Sequence, residues 1–179
     1  MAPEPKLHFD PIEEARQQWL DHQWAAADAM AAVTSIMRVQ QVILSRIDAT
    51  LRPFDLTFAR YEALTLLYLT RRGALPLGKM GVRLMVHPTS VTNTIDRLEE
   101  QGLVKRTPHP EDRRLTLAAI TTKGRRLVTR ATEALGSMRF GIEPLRNREA
   151  RDITHTLRAI RVQAGDFDGS DEKPKSSKS

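Results

Sequence analysis

Apolar residues recur three and four apart through most of the chain, a spacing that predicts helices rather than strands. Ile12, Ala15 and Trp19 mark a first short helix. A long one follows over 28–51, with Met30, Val33, Met37, Leu44 and Leu51 in one stripe and Ile36, Val39, Ile43 and Ile47 in a second beside it. Two stripes cover more of a helix than the roughly 100° needed to seat it on its own core. The surplus face fits either a partner subunit or the centre of a monomeric bundle. Pro53 ends this helix, because it lacks the amide donor and clashes with the preceding turn. Thr57 can cap the next, whose Phe58, Tyr61, Leu64 and Leu67 share a face.

Two short helices then follow in tandem, over 77–85 and 88–101. Pro88 opens the second and Gly102 lies just past its end, the usual asymmetry of helix termini. The β-prone stretches 103–107 and 115–121 flank Pro108 and Pro110, which gives a hairpin with a long charged tip. Thr121 or Thr122 caps a helix carrying Leu127, Ala131, Leu135, Met138, Ile142 and Leu145, expected to run to Pro144. A last helix spans about 147–164, with Ile153, Leu157 and Ile160 on one side. Beyond it, the Gly, Ser, Asp, Glu and Lys of 165–179 bury too little to fold. The expected division is an irregular arm (1–11), N-terminal helices (12–55), a helix-turn-helix with a β-wing (56–122), C-terminal helices (123–164) and a disordered tail (165–179). The fold class is mainly α.

Composition narrows the chemistry. The chain has no cysteine, which removes disulfides, thiolate metal sites and thiol redox sensing together. The longest apolar run is five residues, 29–33, against the roughly 20 of a membrane span. The first residues lack the basic start and apolar stretch of a secretory signal, so a cytoplasmic setting is expected. Net charge is +6, and residues 79–130 alone carry eleven positive against five negative charges. A surplus equal to the whole chain's, held in one segment, is the footprint of a polyanion-binding face. His8, His22, His87, His109 and His155 lie on separate elements without metal-ligand spacing, and no nucleotide-binding glycine pattern or nucleophile motif is present. No enzyme, cofactor or metal site is expected.

In a winged helix-turn-helix, the second helix of the pair enters the major groove. At about 100° per residue, Val91, Ile95 and Leu98 face the core, while Thr89 and Asn93 face away with Thr92 and Asp96 beside them. Short hydroxyls and an amide near a helix start can reach phosphates and base edges, and Asn pairs adenine bidentately. Arg113 and Arg114 stand on the hairpin tip, where a planar cation suits a narrow minor groove. Asp112 beside them is repulsive to phosphate, and its expected role is to orient an arginine. Lys79, Arg83, Lys105 and Arg106 are candidates for phosphate contacts, with Lys123, Arg125 and Arg126 as weaker ones.

Residues 56–130 resemble the winged-helix domain of the multiple antibiotic resistance regulator (MarR) family. The resemblance is carried by the run from Leu84 through Pro88-Thr89-Ser90-Val91-Thr92-Asn93 to Gly102-Leu103-Val104, the wing Asp112-Arg113-Arg114 and its exit Ile120-Thr121-Thr122-Lys123-Gly124. It implies a homodimeric repressor on a pseudo-palindromic double-stranded DNA operator, dimerised through N- and C-terminal helices and often released by a small aromatic or anionic ligand. Pro88, Thr89, Ser90, Thr92 and Asn93 match the major-groove helix. Asp112 and Arg114 match the wing pair, with Arg113 nearer phosphate. The helix near 12–24 resembles the branch with an N-terminal extension, as in urate-responsive members. His87 stands where serine is more usual, a weaker cap and a phosphate candidate. The missing cysteine excludes the peroxide-sensing thiol of another branch.

For an effector, Arg16, Trp19 and Arg46, with Trp24, Arg38 and Arg60, are pocket candidates suited to an aromatic anion. The two tryptophans equally serve to anchor the first helix. Two other functions remain open here: a winged-helix module that binds protein, and a protein that compacts DNA without regard to sequence.

Overall fold

A computed structural model describes residues 7–112 and 115–170. The elements are α1 (Pro11–Asp21), α2 (Ala27–Leu51), α3 (Phe58–Leu69), β1 (Ala74–Pro76), α4 (Leu77–Leu84), α5 (Pro88–Glu100), β2 (Val104–Pro108), β3 (Thr116–Ile120), α6 (Thr122–Ser137) and α7 (Asn147–Gln163). Single 3-10 turns follow α2, at Arg52–Phe54, and α6, at Arg139–Gly141.

Local chemistry sets most of the boundaries. Asp10 caps α1 by accepting from Ile12 N at 2.9 Å, with Pro11 at the first helical position. Thr57 Oγ1 accepts from the Arg60 amide, and Asp48 Oδ1 accepts from Phe58 N at 2.8 Å, so the end of α2 also caps the start of α3. Thr121 Oγ1 caps α6 at Gly124 N, 3.0 Å away. Glu149 closes the first turn of α7 by accepting from Arg146 N at 2.6 Å.

The winged domain surrounds one core built from α3, α4, α5, the sheet and α6, which the end of α2 joins. Leu51, Leu64, Leu67, Ile95, Leu98 and Leu135 are fully enclosed in it. The sheet has the order β1-β3-β2 and is antiparallel throughout, with Ala74 opposite Ala119 and Val104 opposite Ile120. Strand β1 has no counterpart in the sequence reading. It is three residues long and ends in proline, which only an edge strand tolerates.

The helical arms differ from this core. Of the 25 residues of α2 only Ala27, Ile47 and Leu51 are buried, and α7 buries none. Val33 and Met37 are 59% and 57% exposed, and Ile160 is 59% exposed. Val33 and Met37 belong to the α2 face read as surplus to the chain's own core.

Helix α6 stops at Ser137, short of the expected Pro144. Arg139 and Phe140 take positive φ angles of 48° and 54°, a region that side chains disfavour. The turn is held by Arg139 Nη2, which donates to Leu145 O at 2.7 Å and Asn147 Oδ1 at 3.0 Å, and by Phe140 tilted 6.5 Å from the Tyr61 ring. Apolar spacing continues through the break, so periodicity alone hides it. Residues 165–170, placed in the tail by the sequence, fold back on α7. Phe167 lies under the Arg158 and Arg161 guanidinium groups at 4.9 and 5.2 Å, and Arg158 Nη2 donates to Gly169 O at 2.8 Å. Residues 1–6 and 171–179 lie outside the described residues.

Candidate nucleic-acid interface

Helices α4 and α5 are joined by a turn whose pivot, Met85, has φ 54°. The Val86 amide closes the turn on Gly81 O at 3.1 Å. A Cβ at Gly81 would stand 3.2 Å from Val86 O, so a side chain here would press the turn outward by a few tenths of an ångström. His87 then caps α5: its Nδ1 accepts from Thr89 N at 3.3 Å and lies 3.1 Å from Thr89 Oγ1. The imidazole therefore takes the place of the expected serine hydroxyl, and it stays exposed at the helix start beside Pro88.

On α5 the two faces separate cleanly. Val91, Ile95 and Leu98 are buried, and Thr89, Ser90, Thr92 and Asn93 are exposed. Thr92 Oγ1 donates back to Pro88 O at 3.2 Å, which leaves its oxygen free to accept. The opposite end is tied down. Gln101 Nε2 donates to Asp55 Oδ2 at 2.6 Å, and Lys123 Nζ donates to Gln101 O at 2.7 Å. The helix is thus fixed at its C-terminus and exposed at its N-terminus, where the positive end of the helix dipole favours a phosphate.

The wing is built on β2 and β3. His109 organises its tip: Nδ1 accepts from the amides of Glu111 and Asp112 at 3.2 and 3.3 Å, and His109 N donates to Leu115 O at 3.0 Å. Asp112 is exposed in this turn and its carbonyl accepts from Leu115 N at 3.0 Å. Arg113 and Arg114 lie outside the described residues. Lys79 and Arg83 on α4 and Lys105 on β2 are exposed.

Arg106 requires a correction. Its guanidinium, expected on phosphate, bridges Asp96 at 2.5 Å and Glu99 on α5, and Glu99 Oε1 also accepts the Arg106 amide at 2.9 Å. The Arg106 amide, then its side chain, hold the Glu99 carboxyl below the usual glutamate range. Arg106 therefore fastens the wing to the recognition helix. The carboxylates were legible as acidic positions on α5, but their partner seven and ten residues further along, in the hairpin, was not. Lys123 is likewise engaged, on the α5 C-terminus.

The effector candidates do not converge either. Arg16 Nε donates to Asp28 at 2.7 Å, with Glu13 at 3.3 Å from Nη1. Trp19 Nε1 donates to Ala25 O at 2.9 Å, and its ring meets Trp24 edge-on at 4.8 Å. Both residues pin α1 to the start of α2, the anchoring role. Arg46 Nη1 donates to Gly141 O at 3.1 Å and meets Glu143 at 3.4 Å, stitching α2 to the turn after α6.

A groove of about 1090 Å³ opens elsewhere, between α2, α3 and α7. Ile36, Val39, Ile43 and Ile47, the second α2 stripe, form one wall, and Phe58 and Ile153 lie across from it. Its charged residues are Asp48, Glu62 and Asp152. Burial raises the Glu62 carboxyl above its ordinary pKa. Among the described residues, no group of three His, Cys, Asp or Glu is arranged to hold a metal ion, and no helix is long and apolar enough to cross a membrane.

An exposed polar helix face, a capped open N-terminus and a wing fastened beside it define a DNA-binding transcriptional regulator of the winged helix-turn-helix class. Comparison with known proteins agrees. The MarR family model matches residues 56–116. The regulator YhbI of Bacillus subtilis is 32% identical over 108 residues, which are 60% of this chain and 67% of YhbI. Among solved structures, Sco5413, a MarR family transcriptional regulator from Streptomyces coelicolor, is 53% identical with a TM-score of 0.74, over 79% of this chain and 99% of that one. CouR from Rhodococcus jostii RHA1, solved with p-coumaroyl-CoA bound, is 25% identical with a TM-score of 0.63, over 76% of this chain and 92% of its own. The chain belongs to the MarR family.

Proposed function

We propose that the protein is a homodimeric repressor that reads a two-fold-symmetric operator and leaves it when a small ligand binds. The carrying observation is the division of α5, with Thr89, Ser90, Thr92 and Asn93 exposed over the buried Val91, Ile95 and Leu98. In this reading Asn93 and Thr89 contact base edges, while Ser90, Thr92 and the helix start at His87 and Pro88 take phosphate. Lys79, Arg83 and Lys105 add backbone contacts. Arg114 enters the minor groove, Arg113 meets phosphate and Asp112 orients the pair.

The exposed apolar faces of α2 and α7 support dimerisation, since a lone chain leaves Val33, Met37 and Ile160 in water. A second copy places two α5 helices about one DNA turn apart, roughly 10 base pairs. Ligand response is supported by CouR, which was solved with p-coumaroyl-CoA bound, and by the groove at the base of the winged domain. A protein that acts on chromosomal DNA works in the cytoplasm.

Selection of bound duplexes from a random pool at physiological salt tests this reading. It requires enrichment of a two-fold-symmetric motif of about 16–20 base pairs. Retention without enrichment means sequence-indifferent binding, and no retention means the winged domain has another partner. Either result overturns the proposal.

A further inference from the structure

The groove between α2, α3 and α7 has a chemical character opposite to the one the sequence suggested for an effector. Its lining includes Asp48, Glu62 and Asp152 but no lysine, arginine or histidine. An aromatic carboxylate or a phosphate entering it would meet like charge without a compensating cation. Of the arginines that suggested an anion, Arg16 is paired with Asp28 and Arg46 with Glu143, and none of the four lines the groove.

The three carboxylates are not equivalent. Asp48 accepts the Phe58 amide at the start of α3, and Asp152 has Arg148 at 3.9 Å on its own helix. Glu62 is exposed on α3 at the edge of the apolar walls, and partial desolvation there raises its pKa. It also lines the small cavity beneath α5, together with Ser90 and Thr94. One side chain thus borders both the groove and the underside of the recognition helix.

Ile36, Val39, Ile43 and Ile47 of the second α2 stripe line the groove together with Leu44 of the first, while Val33 and Met37 are exposed outside the lining. Those two residues are available to a second copy without filling the groove.

We infer that this groove is the effector site and that its ligand is a lipophilic cation, a hydrophobic amine or onium ion, seated on the apolar walls with its charge toward Glu62. A carboxylate without a cation beside it in the lining and an apolar surround are the two halves of such a site, and the Phe58 ring adds a face attractive to a cation. The volume admits a ligand with several rings. Binding restores to Glu62 the charge partner it lacks and pushes on α3 below the start of α5. The inference rests on the ligand-responsive reading above and gives that site its chemistry.

The test uses two ions of nearly equal shape and opposite charge. Calorimetry on the full-length protein follows saturable binding of tetraphenylphosphonium and of tetraphenylborate, while a gel shift on the selected duplex follows DNA release. Tetraphenylphosphonium should bind and release DNA, and Glu62→Gln should weaken its binding about tenfold, the worth of one charge-assisted contact. Glu62→Arg should move the preference toward tetraphenylborate. Equal saturable affinity for both ions, or phosphonium binding unchanged in Glu62→Gln, overturns the inference. No phosphonium binding by a protein that still binds its operator overturns it too and leaves the regulator reading standing, with the second copy as the groove's occupant. Failure of operator binding itself overturns the regulator reading instead.

Discussion

Helix α6 carries two glycines for which the same substitution should act with opposite sign. A Cβ on Gly124 would stand 2.2 Å from Leu103 O, 2.9 Å from Ile120 Cγ1 and 3.1 Å from Leu103 C. The nearest of these is backbone, which cannot swing aside like a side chain. Restoring an ordinary contact requires α6 to back away from the start of the wing by roughly 1 Å, an overpacking cost of about 1–3 kcal/mol. Leu103 O also accepts from Thr121 N at 3.0 Å and Thr121 Oγ1 at 3.2 Å, so the displacement strains two bonds worth about 1 kcal/mol each. Against this stands a gain of at most about 1 kcal/mol from replacing a helical glycine by alanine. Gly124→Ala should therefore lose roughly 2–4 kcal/mol. Around Gly136, nothing lies within 4 Å of the added carbon, so Gly136→Ala keeps only the propensity gain and should be neutral to about 1 kcal/mol more stable. Urea unfolding followed by circular dichroism, at one fixed protein concentration, measures both. A Gly124→Ala protein within about 0.5 kcal/mol of the parent would show that α6 does not press on Leu103 and would refute the close approach.

Asn93→Ala should cost about 1–3 kcal/mol on the best duplex and blur one base position, whereas Ile95→Ala on the buried face should cost about 2–5 kcal/mol of folding stability. Paired titration and denaturation separate the two, and a stability loss in Asn93→Ala would contradict the exposed placement. Two glutamates should show opposite pH signatures. Glu62 has a raised folded pKa, so its ionised form weakens the fold, and Glu62→Gln should be more stable than the parent at about pH 7, the difference closing below the ordinary glutamate value. Glu99 has a lowered one, so it stabilises above the ordinary value, and Glu99→Gln should be less stable at about pH 7 with the gap closing as acid protonates the parent. Arg106→Met should keep the helical circular dichroism but lose affinity for duplexes with narrow flanking minor grooves, because the wing is no longer fixed to α5. Unchanged discrimination between flanks would remove that role.

What the sequence made legible was local. Thr57, Pro88, Gly102 and Thr121 are chemical signals at helix ends, and each marks a boundary within a residue or two of its place. The polar and apolar faces of α5 followed from spacing alone, as did the surplus stripes of α2. What stayed hidden was settled by partners distant in the chain. Strand β1 exists because β3 offers an edge, and three residues carry too short a pattern to announce it. The break after Ser137 depends on Arg139 reaching Leu145 and Asn147. The arginines set aside for an effector looked available because a cation's partner cannot be read from its neighbours. The acidic groove was hidden for the same reason, as its walls come from three separate helices.

The placement of α5 explains why a DNA-reading helix carries Asp96 and Glu99. Asp96 and Glu99 would be liabilities on a surface facing phosphate. Arg106 bridges them, and the same guanidinium fixes the wing strand against the helix. The C-terminal end of α5 is separately tied through Gln101 to Asp55, in the linker that joins α2 to α3. The helix is therefore referenced to two bodies, the wing on one side and the α2–α3 junction on the other, while its first turns remain unencumbered. Asp48 and Phe58 at that junction also line the groove. Any ligand that separates α2 from α3 acts on the attachment of α5 itself and leaves the side chains facing DNA untouched. Affinity then changes through the spacing and tilt of two otherwise intact reading heads, which a pseudo-palindromic site discriminates more sharply than the loss of any one contact.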